Sequence, residues 1–448
     1  MKDYAGKIRS DFLSGVYDSV LNDIYGADMK CGSDMKCGSD VSIETQRARY
    51  ADAAAQYIRL FGDGPAEVFC APGRTEIIGN HTDHQHGCAI AASVSADMIA
   101  VVGRTDTSDA AVFSEGHGMI RADLNDLSAR SEEAGTSAAL VRGVAAGICG
   151  QLASMDETRN KGLPANMGFN AYITSDVPSG LGMSSSAALE VLLGCIFSEG
   201  LLSSRDIAMI GMRAENDYFG KPSGLLDQMA CSEGGAVFMD FSDPENPAVK
   251  KVALDPARFG YEICLVDTGG SHADLTDAYA AVPEEMRRIA SYFGRKVLRD
   301  VQEQDFLSAI PALRKAAGDR AVLRAMHFFD ENRRVQEAAN ALEMSDFDRF
   351  LRLVRESGAS SFQLLQNVCP EGASAEQNIA LALALSGKIL QGRGASRVHG
   401  GGFAGTIQAY VPRELLEEYR QRMENVFGKG TVHTVKIRPA GGACVTRR

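Results

Sequence analysis

Four groups of residues in this chain are of types that could do chemistry together. Residues 178 to 187 read Pro-Ser-Gly-Leu-Gly-Met-Ser-Ser-Ser-Ala, with glycines that let backbone N–H groups close around an anion and three hydroxyls in a row. An Ala/Leu-rich run from Ala187 to Phe197 follows and reads as a helix. Such a loop, delivering a helix N-terminus, can cradle a polyphosphate. Helix capping by serine is the simpler reading of the same residues. The Gly-Lys-Ser/Thr ending of a P-loop is missing, so that superfamily is not indicated.

Upstream lies Ala71-Pro-Gly-Arg-Thr-Glu-Ile-Ile-Gly-Asn-His-Thr-Asp-His-Gln-His-Gly. Polar groups this dense directly after a buried strand are costly unless they line a cavity that uses them. His81, His84 and His86 invite a zinc reading, but zinc ligands usually come from spaced elements. Hydrogen bonding to a polyhydroxylated ligand fits the Asn/His/Asp/His mixture better.

Downstream, Arg213-Ala-Glu-Asn-Asp-Tyr leads into Gly220-Lys-Pro-Ser-Gly and then Leu225-Leu-Asp-Gln-Met. Glu215 falls on a predicted helix, and Asp227 sits in an apolar setting after a glycine turn. Buried carboxylates usually have a partner or a task. The fourth group, Val398-His-Gly-Gly-Gly-Phe-Ala-Gly, carries three successive glycines, which let backbone approach a ligand closely.

The elements that must position these groups follow an α+β pattern. Apolar residues from Ile8 to Ile24 recur at helical spacing, and a second helical pattern runs from Val41 to Phe61. Strands are predicted at 67–71, 89–94, 98–103, 169–174 and 235–240, with helices near 137–153, 187–200 and 204–218. A Pro-, Asp- and Lys-rich stretch at 246–260 marks a boundary. Beyond it come a strand at 262–267, a broken helical region at 283–392, a strand–turn–strand unit around Gly400, a helix at 413–427 and a strand at 432–437. The duplicated Met29-Lys-Cys-Gly-Ser-Asp reads as a surface loop rather than a metal site.

Composition narrows the function class. With 46 basic and 58 acidic residues the net charge is −12, and no long basic run suggests nucleic acid. The ten cysteines lack the two-residue spacing of zinc or redox motifs and read as reduced, buried thiols in a cytoplasmic protein. The amino terminus lacks the apolar run of a secretory signal, and no stretch reads as a membrane span.

Taken in order, Gly73-Arg-x-x-Ile-Ile-Gly-x-His-Thr-Asp, Pro178-x-Gly-x-Gly-x-Ser-Ser-Ser-Ala and Gly400-Gly-Gly-Phe-x-Gly resemble the three motifs of the galactokinase branch of the GHMP kinases. The spacing of Glu215, Gly220, Pro222 and Asp227-Gln228 matches as well. The resemblance runs from about Gln46 to the carboxyl end. It implies a two-domain fold, with a ribosomal-S5-like N-terminal domain over 43–248, a ferredoxin-like C-terminal domain over 249–448 and the active site in the cleft between them. Residues 1–42 are then an N-terminal helical extension, and a monomer or weak homodimer is expected.

By position, the resemblance makes Asp227 the residue facing the sugar C1 hydroxyl, with Arg74 as its cationic partner. Glu215 and Ser185 or Ser186, with Ser186 preferred, become magnesium ligands. Gly180, Gly182, Ser184, Ser185, Ser186, Gly401 and Gly402 line the nucleotide. Asn80, His81, Asp83 and Tyr279 face the sugar. ATP and Mg2+ are the expected partners, and the reaction is transfer of phosphate to the C1 hydroxyl.

The match departs from the family at the sugar. The usual Gly-Glu-His-Thr-Asp-Tyr is here Gly79-Asn-His-Thr-Asp-His, and the usual asparagine after Gly73-Arg-x is Glu76. Losing a carboxylate at position 80 removes a strong acceptor for the C6 hydroxyl and a repulsion against an anionic C6. Galactose or a C6-altered relative such as galacturonate is therefore expected. A silent sugar and ATP sensor is the alternative of a different class.

Overall fold

The computed structural model describes residues 3–26, 42–156, 167–178, 180–270, 275–370, 372 and 375–447. The Met29–Asp40 repeat and His272 lie outside the described residues.

Two sheets organise the chain. The first contains β1 (Glu67–Ile78), β2 (Cys88–Arg104), β3 (Asp109–Ser114), β4 (Gly118–Asp123), β5 (Phe169–Ser175), β6 (Ala236–Asp240) and β7 (Ala248–Val252). The second contains β8 (Tyr261–Asp267), β9 (Ala395–Val398), β10 (Thr406–Pro412) and β11 (Val432–Val435), and β12 (Ala443–Cys444) returns to the first. The first sheet runs β12-β1-β2-β5-β3-β4, with β6 on β2 and β7 on β6; only β3 and β5 are parallel. The second is antiparallel, in the order β11-β8-β10-β9.

The two strands predicted at 89–94 and 98–103 are one. β2 is continuous, fully buried except at Arg104, and rich in alanine and valine because both of its faces are covered. Its first half pairs with β6 and its second with β5, while β1 lines its other edge. The hairpin β3–β4 is not apparent in the apolar pattern, because only Ala122 of β4 is buried.

The boundary expected at 248/249 runs through β7, which stays in the first sheet to Val252. The chain also comes back: Ile437 bridges Val94, and Cys444 pairs with Phe69. One apolar cluster spans both sheets, from Phe69, Ile90 and Phe169 to Leu265, Phe350 and Tyr410.

The first predicted helix is two helices, Ala5–Leu13 and Asp18–Tyr25, broken at Gly15, whose φ of +82° continues no helix. They pack on helix Ile43–Phe61, where Phe12 stacks on Tyr50 at 4.9 Å and lies 4.5 Å from Tyr17. Tyr25 then donates its hydroxyl to Asp97 at 2.5 Å, within a buried group that includes Arg438, Arg49 and Tyr50. The apolar face of residues 5–25, from Ile8 and Phe12 to Leu21 and Ile24, is thus part of the core.

Helix Ser137–Asp156 corrects the membrane expectation, since its segment Ser137–Met155 is long and apolar enough to cross a membrane by length and composition. Its surroundings explain the composition. A Cβ at Gly143 would lie 2.8 Å from the Tyr218 ring, and one at Gly147 would lie 2.5 Å from Ile210. This is a helix pressed against helix Ser204–Ala214, apolar because it forms core.

Candidate active site

Arg74 comes from β1, where the register against β2 shifts between Pro72 and Arg74 and again between Glu76 and Ile78. Such irregularities re-aim side chains, and here they turn a charged residue inward. The serine loop lies against this point: Arg74 N donates to Met183 O at 3.1 Å, and a Cβ on Gly73 would sit 2.9 Å from the same carbonyl. Glycine at 73 is what allows the contact.

Arg74, 6 % exposed, forms a guanidinium fork on Asp227, with Nε to Oδ1 at 2.6 Å and Nη2 to Oδ2 at 2.7 Å. Its Nη1 donates to Gly182 O, and Ser184 Oγ donates to Asp227 Oδ2. Burial pushes the Asp227 carboxyl up, but the Arg74 charge and the hydrogen bonds from Arg74 and Ser184 outweigh it and hold the group below the usual carboxylate value. Asp227 therefore stays ionised. About a third of its side chain (32 %) remains exposed, so a ligand can reach it.

The serine triplet divides its work. Ser184, in a left-handed conformation (φ 55°), makes no capping bond to helix Ser185–Ser198 and turns its hydroxyl to Asp227. The leading N–H groups of that helix are thus left uncapped by Ser184 at the loop shaped by Gly180 (φ +85°) and Gly182 (φ +67°). This is what an anion site needs and what a capping serine would spoil.

Ser186 Oγ donates to Glu215 Oε1 at 2.9 Å. Glu215 opens a π-helical turn, Glu215–Phe219, of the kind that interrupts helices at functional sites. The two residues expected to hold magnesium thus stand together. Their oxygens are hard donors, and a 2.9 Å separation is about the edge of an octahedron with bonds of ~2.1 Å, so the pair fits the ion.

Sequence reasoning missed the groups around this pair. Lys221 Nζ lies 2.8 Å from Glu215 Oε1, and Gln228 Nε2 donates to Glu215 Oε2 and to Glu190 Oε2, both at 2.9 Å. Glu190 is fully buried, and burial, then the nearby Glu215, push its carboxyl well above the ordinary value. A glutamate within an Ala/Leu helix was the available signal.

Asn80, His81 and Tyr279, three of the residues expected at the sugar, meet the Gly400–Gly402 turn. His81 Nε2 contacts Gly401 O at 3.0 Å, and Tyr279 donates its hydroxyl to Gly402 O at 2.8 Å. Gly401 and Gly402, expected at the nucleotide, contact His81 and Tyr279, two residues expected at the sugar. The glycine run is also demanded by packing, because a Cβ at Gly401 would meet the Tyr279 ring at 2.6 Å and one at Gly402 the Asn367 carbonyl at 2.2 Å. Asp83 accepts from His84 N at 2.9 Å and abuts Gly224, where a Cβ would come within 2.1 Å. That brings it to the turn preceding Asp227. His81 is held down to about 4 by burial and by His84, and its Nδ1 has no hydrogen-bond partner among the described residues.

Asn80 departs from its expected role. It is 1 % exposed, and its amide donates to Glu76 Oε1 at 3.0 Å and Gly400 O at 2.7 Å, while its Oδ1 accepts from Asn367 at 2.7 Å and Ser361 at 3.4 Å. Every valence of the side chain is spent within the protein. Glu76 in turn meets Arg397 at 2.7 Å. Behind this loop, His327 Nε2 contacts Asn80 O at 2.9 Å, and Glu331 accepts from Gly79 N at 2.9 Å and Ser357 Oγ at 2.5 Å. Elements of both halves of the chain therefore fix the 79–84 loop.

Known proteins resemble this arrangement. The galactokinase galactose-binding signature matches residues 55–104, and the GHMP kinase N-terminal domain matches residues 139–235. A galactokinase of Actinobacillus pleuropneumoniae is 31 % identical over 383 residues, covering 85 % of this chain and 94 % of that protein. The crystal structure of Lactococcus lactis galactokinase complexed with galactose superposes with a TM-score of 0.73 at 23 % identity, over 88 % of this chain and 99 % of that one. Methanococcus jannaschii mevalonate kinase gives a TM-score of 0.58 at 14 % identity, over 84 % and 99 %. The architecture is the GHMP kinase fold.

Proposed function

Since the chain belongs to the galactokinase family and is a sugar kinase, we propose that it transfers the γ-phosphoryl group of ATP to the anomeric C1 hydroxyl of galactose or a close relative, giving sugar 1-phosphate and ADP. The observation that carries this reading is the Arg74 fork on Asp227, set beside the uncapped N-terminus of helix Ser185–Ser198.

Phosphoryl transfer asks a protein mainly for positioning and charge neutralisation. The helix N-terminus and the glycine loop hold the phosphates. Asp227, kept ionised by Arg74, accepts a hydrogen bond from the C1 hydroxyl and takes its proton as the hydroxyl oxygen bonds to the γ-phosphorus and the bond from that phosphorus to the β–γ bridging oxygen breaks, releasing ADP. Arg74 stabilises the carboxylate and, with it, the charge that develops nearby. Ser186 and Glu215 would hold magnesium, which supplies neutralisation of the triphosphate charge when bound. His81 and Asp83 meet the remaining sugar hydroxyls. An ionised, reachable Asp227 favours turnover over a silent sensor.

Galacturonate is the second reading, favoured by one observation. Position 80 is an amide closed into its own network, and the Glu76 carboxylate 3.0 Å from it is paired with Arg397, so neither position presents an unpaired carboxylate to an anionic C6. A panel of sugars with coupled ADP detection separates the readings. Strong galactose turnover with none on galacturonate removes the second, and no turnover on any sugar removes both.

A further inference from the structure

Three groups hold the Glu215 carboxylate, and they differ in kind. Ser186 and Gln228 lie on the buried-faced helices Ser185–Ser198 and Leu226–Glu233. Lys221 instead follows Gly220 (φ +84°) on irregular chain, and its side chain is 59 % exposed while that of Glu215 is 3 % exposed. A long, solvent-facing side chain thus brings an ammonium to a buried carboxylate, on the same oxygen that accepts from Ser186.

That oxygen is also the one best placed for a divalent cation. An ammonium at 2.8 Å and a dication cannot share it, because two like charges that close repel strongly in a partly desolvated site. Lysine is a compact charge on a flexible stem, so it can leave without moving backbone. The strongest acceptors that arrive with the metal are the phosphate oxygens at the helix N-terminus beside it, and Lys binds phosphate as a point charge.

We propose that Lys221 is a resident counter-cation, holding Glu215 in place while the site is empty and passing its ammonium to the triphosphate when the metal–nucleotide arrives. The inference rests on the sugar-kinase reading of this site. No covalent step is involved; one ion pair is exchanged for another.

Binding measurements test it without turnover. MnCl2 alone, followed by electron paramagnetic resonance, and Mg–AMP-PNP, followed by calorimetry, are titrated into the wild-type chain, Lys221→Met and Lys221→Arg. Lys221→Met should bind Mn2+ alone about tenfold more tightly and Mg–AMP-PNP about fivefold more weakly, with Lys221→Arg recovering most of the nucleotide affinity. Mn2+ affinity that is unchanged or lower in Lys221→Met, or nucleotide affinity that is unchanged or higher, overturns the proposal. A wild-type chain that binds no Mg–AMP-PNP overturns the site reading and this inference with it; wild-type binding with an indifferent Lys221→Met overturns the inference alone.

Discussion

Arg74 holds Asp227 through two parallel hydrogen bonds, 2.6 Å from Nε and 2.7 Å from Nη2, across 153 residues of sequence. A bidentate fork of this kind fixes the carboxylate plane as well as its charge. Asp227→Asn keeps the shape and removes the charge. Turnover should fall by about 10²-fold or more while AMP-PNP binding stays within a few-fold of wild type. Near wild-type turnover in coupled ADP detection would sink the assigned role.

Ser186 and Glu215 are expected to set the magnesium requirement. Ser186→Ala should raise the Mg2+ concentration needed for half-maximal AMP-PNP binding by about tenfold, and Glu215→Gln by more, because a charged ligand is lost. Calorimetric titrations at stepped Mg2+ provide the readout. An unchanged requirement in both variants would remove the metal assignment.

Glu76 and Asn80 exchange the acid and amide of the family pattern and are hydrogen-bonded to each other at 3.0 Å. Asn80→Glu puts a second carboxylate against Glu76 and should cost about 2–4 kcal/mol of stability. Adding Glu76→Asn should return at least about 1 kcal/mol of it in a double-mutant cycle read by urea unfolding. Additive costs would show that the two positions are independent.

Acid should destabilise the fold before the carboxylates titrate. His81 is held down to about 4, and burial also holds His327 and His399 below the ordinary 6.5. The unfolded chain takes up these protons near 6.5 and the folded one does not, so the unfolded state binds more protons in that interval. Stability is therefore complete above about pH 6.5 and is lost as pH falls toward 4. Tm measured from pH 7.5 to 5 should decline; a flat profile contradicts the assignment.

The amino-terminal helices should be required for stability. Tyr25→Phe deletes the hydroxyl that reaches buried Asp97 and should cost about 1–3 kcal/mol in urea unfolding. Deleting residues 1–26 also strips Phe12 and Tyr17 from Tyr50 and should lower Tm far more. A truncated chain of unchanged Tm would make these helices an appendage.

Much of the fold was legible because burial leaves a period. The helices at 187–200 and 204–218 and the strands at 169–174 and 262–267 appear close to their expected places. Where both faces of a strand are covered the period vanishes, so β2 looked like two pieces. Where a helix packs an apolar, small-residue face into the core it looks like a membrane segment, as Ser137–Met155 does by composition. The phosphate loop was legible through its glycines and hydroxyls, since few other tasks call for that mixture.

By itself the sequence determined the chemistry available: the triplet at 184–186, the carboxylates Glu215 and Asp227, the cation Arg74 and the glycines at 400–402. Local composition suffices there because each residue type limits what the backbone or side chain can do. Only the tertiary structure decided the pairings. It gave Ser184 to Asp227 and Ser186 to Glu215, put Lys221 on the same carboxylate, turned the glycine run toward His81 and Tyr279, and closed Asn80 into a network with Glu76, Gly400 and Asn367. Hydrogen bonds and ion pairs act over about 3 Å in space, whereas these partners are separated by up to 320 residues along the chain, a distance that no local pattern encodes.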